Sequence, residues 1–349
     1  MSQLADRLAG RRMITTIPGP AGVRAMLIAE VATGGGGGAP ADEPGLSDRA
    51  VIGNRPGDTL LRACVVAWAD GADPDRAWVD VYPARDGVDV VDIFGNSTRV
   101  GLSGSGGKAT AQVRVPLTDS PVFIEGVDPY LAQFTSSFKL TPTFIPAVVA
   151  EHDMRIEMTN PWPIRITGQI QLKEPDNAIN SRGLSWTISP NVIDFAIAPG
   201  QTTSLPLQLT FGPGQLAGVK DMVMVARVLA DRQYPSIRTT TSIEVGLSEL
   251  ELIPDVQLGP SPDGPDVIVT AAITNRDTRP RTLRLDLAAP ETPGQQLQIS
   301  ALPPAQTAYK RFIIRDGARL LGGKRIRITL GDEESAARLS KAALVPKPQ

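Results

Sequence analysis

The chain has 349 residues, of which 42% are hydrophobic and 21% charged, and its formal net charge is −2. These values are typical of globular proteins, and the length suits three domains of roughly 100 to 130 residues. The near-neutral charge and the lack of a basic run argue against nucleic-acid binding. The single cysteine, Cys64, rules out an intrachain disulfide, and no segment reaches the roughly 18 apolar residues of a membrane span.

The first predicted element is a short helix. Within residues 2–12, Leu4 and Leu8 stand four positions apart, which predicts an apolar stripe on one face of a helix. Gly10 ends this helix. An isolated helix of about ten residues is marginal in water, so it needs a surface to lie on. No apolar stretch of signal-peptide length is present, so the chain as written predicts a cytoplasmic protein. If it is the tail of a longer secreted protein, that inference lapses and the location is extracytoplasmic.

The next part of the chain reads as short strands separated by turns. Residues 24–32 and 60–68 are apolar runs, whereas the five glycines of residues 34–38 predict a mobile loop. Residues 88–93 alternate between apolar and polar, and Gly95-Asn96 is a turn dipeptide. Short strands at residues 112–116 and 122–124 then complete a sandwich over residues 21–131, after a lead-in at residues 1–20.

The remaining chain predicts two copies of one plan. Strands with turns between them occupy residues 132–247 at spacings typical of an immunoglobulin-like (Ig-like) sandwich. Residues 248–349 repeat the pattern, with Asn275 in the place of Asn160 and Thr307 in the place of Thr202. Such a repeat favours spacing or presentation over chemistry. We therefore predict an all-β chain of three consecutive β-sandwich domains, the last two Ig-like.

Two segments carry a family resemblance. D-I-F-G-N at residues 92–96, followed by P-L-T-D-S-P-V-F-I-E-G at residues 116–126, resembles the small β-sandwich that closes many TIM-barrel glycoside hydrolases. T-N-P-W-P at residues 159–163, W-T-I-S-P at residues 186–190 and A-P-G-Q at residues 198–201 resemble the galactosidase-associated, NEW3-like Ig domains of bacterial glycosidases.

The resemblance implies a non-catalytic accessory region of a carbohydrate-active protein whose catalytic barrel is not in this sequence. Its implied partners are that barrel and carbohydrate. Leu4 and Leu8 would then belong to an apolar flank of the first domain that docks the barrel. Two alternatives stay open, a cell-surface structural or adhesive protein built of Ig-like modules and a stand-alone glycan hydrolase.

Catalytic and metal-binding residues are not predicted. His152 is the single histidine, and no nucleophile motif accompanies it. The best acid pairs for a glycosidase, Asp89 with Asp92 and Glu125 with Asp128, have no aromatic platform beside them, and alternation puts their members on different or solvated faces. One histidine and one cysteine in different predicted domains make a zinc site improbable. We therefore expect no cofactor.

Sugar binding needs exposed aromatic rings, because the C–H faces of a sugar stack on them. Trp162, between two prolines in a turn, is the best candidate, and Tyr234, before Pro235, is the next. Arg165 could donate hydrogen bonds to sugar hydroxyls. A Trp162 ring that is tucked over the end of the sandwich is the alternative.

Overall fold

A computed structural model describes residues 7–20, 22–32, 59–71, 73, 77–102, 112–175, 186–212, 214–262, 264–335 and 337–347. Over these residues the chain is all-β, arranged in sandwiches, which confirms the predicted fold class. The sheets change at a helix near residue 129 and again at residues 247–249. The limits 131/132 and 247/248 stay a prediction.

The first sandwich contains a six-stranded antiparallel sheet in the order β1-β2-β3-β8-β5-β6, with the pair β4-β7 on one face. Alternate apolar residues of both sheets, such as Leu27, Val65, Val79 and Val115, meet between them as the core. The strands are β1 (Arg12–Thr16), β2 (Val23–Ala32), β3 (Thr59–Ala69), β4 (Trp78–Val81), β5 (Gly87–Val91), β6 (Ser97–Gly101), β7 (Val113–Pro116) and β8 (Val122–Glu125).

The second sandwich packs the sheet β10-β17-β16-β12-β14 on the sheet β13-β15-β11-β9. Pairing is antiparallel except between β10 and β17. The helix α1 (Pro129–Ser136) precedes it. The strands are β9 (Lys139–Thr141), β10 (Phe144–Pro146), β11 (His152–Thr159), β12 (Ile166–Lys173), β13 (Trp186–Ser189), β14 (Val192–Ile197), β15 (Thr202–Phe211), β16 (Gly218–Leu229) and β17 (Ile237–Gly246).

The third sandwich packs the sheet β18-β19-β22 on the sheet β21-β20-β23-β24, which is the strand distribution of an Ig-like domain. The strands are β18 (Leu250–Gly259), β19 (Asp266–Asn275), β20 (Arg281–Ala288), β21 (Gln295–Leu302), β22 (Thr307–Ile314), β23 (Arg325–Asp332) and β24 (Arg338–Leu344), with the short helix α2 (Gly317–Leu321) before β23.

The internal repeat is visible at the level of single hydrogen bonds. Asn160 and Asn275 are both fully buried. Each side-chain amide donates to the carbonyl four residues later, at 2.8 Å, and to the last carbonyl of a strand in the opposite sheet, β14 or β21, at 2.9 Å. The hydroxyls of Thr159 and Thr202 lie 2.8 Å apart, and those of Thr274 and Thr307 lie 2.9 Å apart. The two Ig-like domains therefore use the same corner.

Candidate functional site: two interdomain junctions

The first junction is built around α1. Asp128 caps this helix, since its Oδ1 accepts from the backbone N–H groups of Tyr130 and Leu131 at 3.1 and 3.0 Å. Pro129 at the first helical position fits the same start. Ala132 enters the core of the first sandwich, whereas Phe134 is fully buried in the core of the second. One helix thus fastens two hydrophobic cores together.

Polar contacts close the same junction. The phenol of Tyr82, in the first sandwich, accepts a hydrogen bond from the Arg238 backbone N–H and donates to the Arg238 carbonyl, each at 2.8 Å. The Gln112 amide donates to the same carbonyl at 2.8 Å. Burial raises the pKa of Tyr82, so the phenol stays protonated and keeps its donor. Sequence pattern alone does not distinguish Tyr82, because its partner Arg238 is distant in sequence.

An aromatic cluster lies on the second-domain side of this helix. The Trp162 indole N–H donates to the Tyr234 hydroxyl at 3.1 Å, and that hydroxyl donates to Asp231 Oδ1 at 3.0 Å. The Trp162 ring stacks on Tyr130 at 5.9 Å between centroids and meets Phe134 edge-on at 5.3 Å. These geometries are those of packed aromatic pairs inside a core.

The two proposed sugar platforms are therefore not at the surface. Trp162 is only 2% exposed and Tyr234 only 5%. For Trp162 an exposed platform is wrong and the tucked ring is the observed arrangement, because Asn160 Oδ1 accepts from the Trp162 backbone N–H at 2.9 Å and the indole points inward, where α1 covers it. Arg165, by contrast, is exposed as expected. Glycan contact itself stays a prediction.

The predicted docking flank involves the outer face of the first sheet. Ile28, Cys64, Val66 and Phe123 form a second apolar cluster there, and all four are buried. The guanidinium of Arg7 lies 5.8 Å from the Phe123 ring centroid and pairs with Glu125. Arg11 Nη1 lies 2.9 Å from Cys64 Sγ, and burial raises the pKa of that thiol. Cys64 is therefore a buried thiol, and its raised pKa disfavours a reactive role.

Of the two leucines assigned to this flank, Leu8 is 42% exposed. Leu4 lies outside the described residues, as do residues 2–6 of the predicted first helix and the five glycines of residues 34–38. The docking flank therefore stays a prediction.

The second junction joins the two Ig-like domains through backbone hydrogen bonds. The Arg338 N–H donates to the Ala147 carbonyl at 2.9 Å, and the Ala217 N–H donates to the Ser340 carbonyl at 2.7 Å. Leu247, in the connection, packs against both hydrophobic cores. This connection is short, and the packing of Leu247 holds it against both domains, so it does not act as a free linker.

A cleft of about 580 Å³ lies beside the second junction, lined by Val149, Arg284, Gly331, Asp332, Glu333, Ser335 and Arg338. Its carboxylates have structural partners. Asp332 accepts from Arg281 at 2.8 Å and from the Ser335 hydroxyl at 2.9 Å, and Glu333 accepts from Gln298 at 3.1 Å. The acids that a hydrolase would use here are held by neighbouring side chains.

The other acid candidates are also engaged in the fold. Asp89 pairs with Arg99 at 2.9 Å, and Asp92 accepts from the backbone N–H groups of Phe94 and Asn96 in the hairpin turn. A hydrogen bond from the Asn96 side-chain amide, followed by those backbone bonds, holds the pKa of Asp92 below its ordinary value. Glu125 pairs with Arg7, and Asp128 caps α1, as described above.

His152 is half-buried and stacks on Phe211 at 5.1 Å, with its Nε2 3.1 Å from the Val148 carbonyl. Among the described residues, no group of three or more His, Cys, Asp or Glu side chains is arranged to hold a metal ion. Within the same residues, no helix has the length and apolar character needed to cross a membrane.

No protein-family model matches this chain, and no curated protein matches it. Solved structures that are similar include a red sea bream transglutaminase, at 12% identity and a TM-score of 0.27, covering 61% of this chain and 32% of that one. The E. coli chaperone DraB is similar at 10% identity and a TM-score of 0.21, covering 60% and 98%. The Acinetobacter baumannii CsuC–CsuE complex is similar at 11% and 0.22, covering 61% and 99%. Likeness at this level carries no argument about function.

Proposed function

We propose that the chain is a non-catalytic structural module, a stiff row of three sandwich domains that holds whatever is attached at one end at a fixed distance from the other. The observation that carries the proposal is that both interdomain junctions are packed and hydrogen-bonded. Flexible tethers between domains are polar and make few contacts, whereas here α1 is shared by the cores of the first and second sandwiches and Leu247 by those of the second and third.

The roles of the charged residues support the same proposal. The carboxylates that line the cleft, and those of the four acids singled out from the sequence, accept hydrogen bonds or pair with cations in turns, caps and strand pairs. General acid–base catalysis needs a carboxyl group within reach of a substrate and free to exchange a proton. Groups held in this way serve the fold instead.

Stiffness can be measured with a pair of labels. Cysteines introduced at Thr98, exposed on β6, and at Arg327, exposed on β23, accept spin labels, while the native Cys64 is buried and stays unlabelled. We expect a single narrow distance distribution by pulsed electron paramagnetic resonance. The Phe134→Ala variant, which removes the side chain that anchors α1 in the second core, should broaden it. A broad distribution in the unmodified chain would refute the proposal.

A second candidate function is the accessory region of a carbohydrate-active protein. The observation that favours it is Leu8, a large apolar side chain that is 42% exposed next to Arg7, whose guanidinium packs on Phe123 of the first sheet. A catalytic barrel from a glycoside hydrolase of the resembled family, added in trans, should bind the wild type and lose affinity for Leu8→Asp. Arg165→Ala provides a separate test by glycan binding, because Arg165 is distant in sequence from the flank. This candidate would be removed if Leu8→Asp bound the barrel as well as the wild type does and Arg165→Ala bound glycan as well as the wild type does.

A further inference from the structure

The outer face of the sheet β18-β19-β22 is unusually apolar for a surface. Three large apolar side chains on this one face are exposed, Ile253 at 53%, Tyr309 at 72% and Ile313 at 50%. Inward-pointing neighbours on the same strands, such as Leu252 and Phe312, fill the core of the third sandwich. Exposed large apolar side chains grouped on one sheet face in this way are typical of an interaction site.

Strand register arranges this face in rows. Ala272 of the central strand β19 stands between Ile253 and Tyr309. In the next row Thr270 stands between Asp255 and Arg311, and in the third Ile268 stands between Gln257 and Ile313. Each row therefore has one residue on β18, one on β19 and one on β22.

We propose that this face binds the same face of a second copy of the chain, about a two-fold axis that runs along β19. Rotation about this axis leaves each row at the same position along the strands. It places the β18 end of a row opposite the β22 end of the same row in the other copy. Ile253 then meets the Tyr309 position of the other copy, and Asp255 meets the Arg311 position. An isologous interface requires a surface that is complementary to itself in this way.

Charge complementarity is the feature that selects a second copy as the occupant. Arg311 is exposed, and no carboxylate lies within ion-pair distance of it in the part of the chain that the structure describes. Asp255 accepts a hydrogen bond from Gln257 at 2.7 Å and forms no ion pair within those residues. Within one chain the two lie on strands about 10 Å apart, with Thr270 between them. In the dimer Asp255 of each copy lies opposite Arg311 of the other copy, which gives two opposite-charge pairs per interface.

The strand edges of this sheet favour contact through its face. Pro254 lies on the edge strand β18, where it lacks the N–H that an added strand would need. On the other edge, the Gln295 amide donates to the Ile313 carbonyl at 3.2 Å and so occupies part of β22. Aligned packing of two antiparallel sheets, by contrast, needs only the side chains that are presented here.

The size of the face sets the strength of the dimer. Three strands about 4.8 Å apart, with eight residues rising about 3.3 Å each, give a plan area near 380 Å² per copy. The total of about 760 Å² for both copies is below the roughly 1,000 Å² of a stable specific interface, so we expect a weak dimer that dissociates at tens of micromolar.

The test is sedimentation velocity of the full chain over about 1 to 100 μM. We expect reversible dimerisation in the wild type. Asp255→Arg and Arg311→Asp each place like charges opposite each other and should weaken self-association at least about tenfold. Mixing the two variants restores both opposite-charge pairs, so a heterodimer of wild-type affinity should form. Arg327→Asp, an exposed reversal on the opposite sheet, is the matched control and should dimerise normally.

Three results would overturn the proposal. A wild type that is monomeric throughout this range would do so, as would a dimer that neither reversal weakens, or two variants that remain monomeric when mixed. Thermal unfolding of each variant separates an interface effect from misfolding, because Asp255 and Arg311 are surface side chains and their replacement should leave the melting temperature unchanged. The outcome is independent of the label distances that test the proposed stiffness.

Discussion

Asn160→Ala should destabilise the second domain far more than an ordinary polar substitution. The Asn160 side chain is fully buried and makes three hydrogen bonds, donating to the Ile164 and Ile197 carbonyls and accepting from the Trp162 N–H. Each bond contributes about 1 kcal/mol, and the buried Trp162 N–H that remains unsatisfied adds about 1 to 2 kcal/mol. The free energy of unfolding should therefore fall by about 4 to 5 kcal/mol.

Urea denaturation followed by tryptophan fluorescence measures this change, since Trp162 lies two residues from the substitution. Asn191→Ala is the matched control, because Asn191 is exposed and accepts a single hydrogen bond, from Gln171, and we expect a change below about 0.5 kcal/mol. Asn275→Ala should match Asn160→Ala in size, measured by calorimetry. A loss below about 1 kcal/mol at Asn160, or equal losses at Asn160 and Asn191, would refute the reasoning.

Three further predictions concern the first junction and the third domain. Phe134→Ala, which empties a fully buried site, should remove about 3 to 5 kcal/mol and split the calorimetric unfolding of the first two domains into separate transitions. Burial raises the pKa of Asp128 above its ordinary value of 3.8, so its contribution to stability is present at acidic pH and is lost as the pH rises through the folded value. Asp128→Asn should therefore gain stability relative to wild type between about pH 4 and pH 7, measured as urea midpoints. Hydrogen bonds from Thr278 and Arg281 lower the pKa of Asp277, so its contribution is lost as the pH falls, and Asp277→Asn should flatten the acid limb of third-domain unfolding.

The repeated domain plan could be predicted from the sequence because it is written in local patterns. Alternating apolar positions identify the strands of both Ig-like domains, and the Thr-Asn pairs at residues 159–160 and 274–275 mark the same corner in each. The all-β class follows from the same alternation. Which strands become neighbours depends on contacts distant in sequence, and the order β13-β15-β11-β9 could not be deduced from periodicity.

The position of Trp162 shows where local patterns stop being sufficient. A ring between two prolines suggests an exposed turn, but the burial of Trp162 is decided by α1, which arrives from the preceding domain boundary. A signal for that helix was present in the sequence, since Asp128 followed by Pro129 is a typical cap and first helical residue. The eight-residue helix thus explains both why the sequence left the position of the ring open and why the junction was not recognised. In a chain of sandwich domains, the short elements between sheets therefore decide whether the domains move independently.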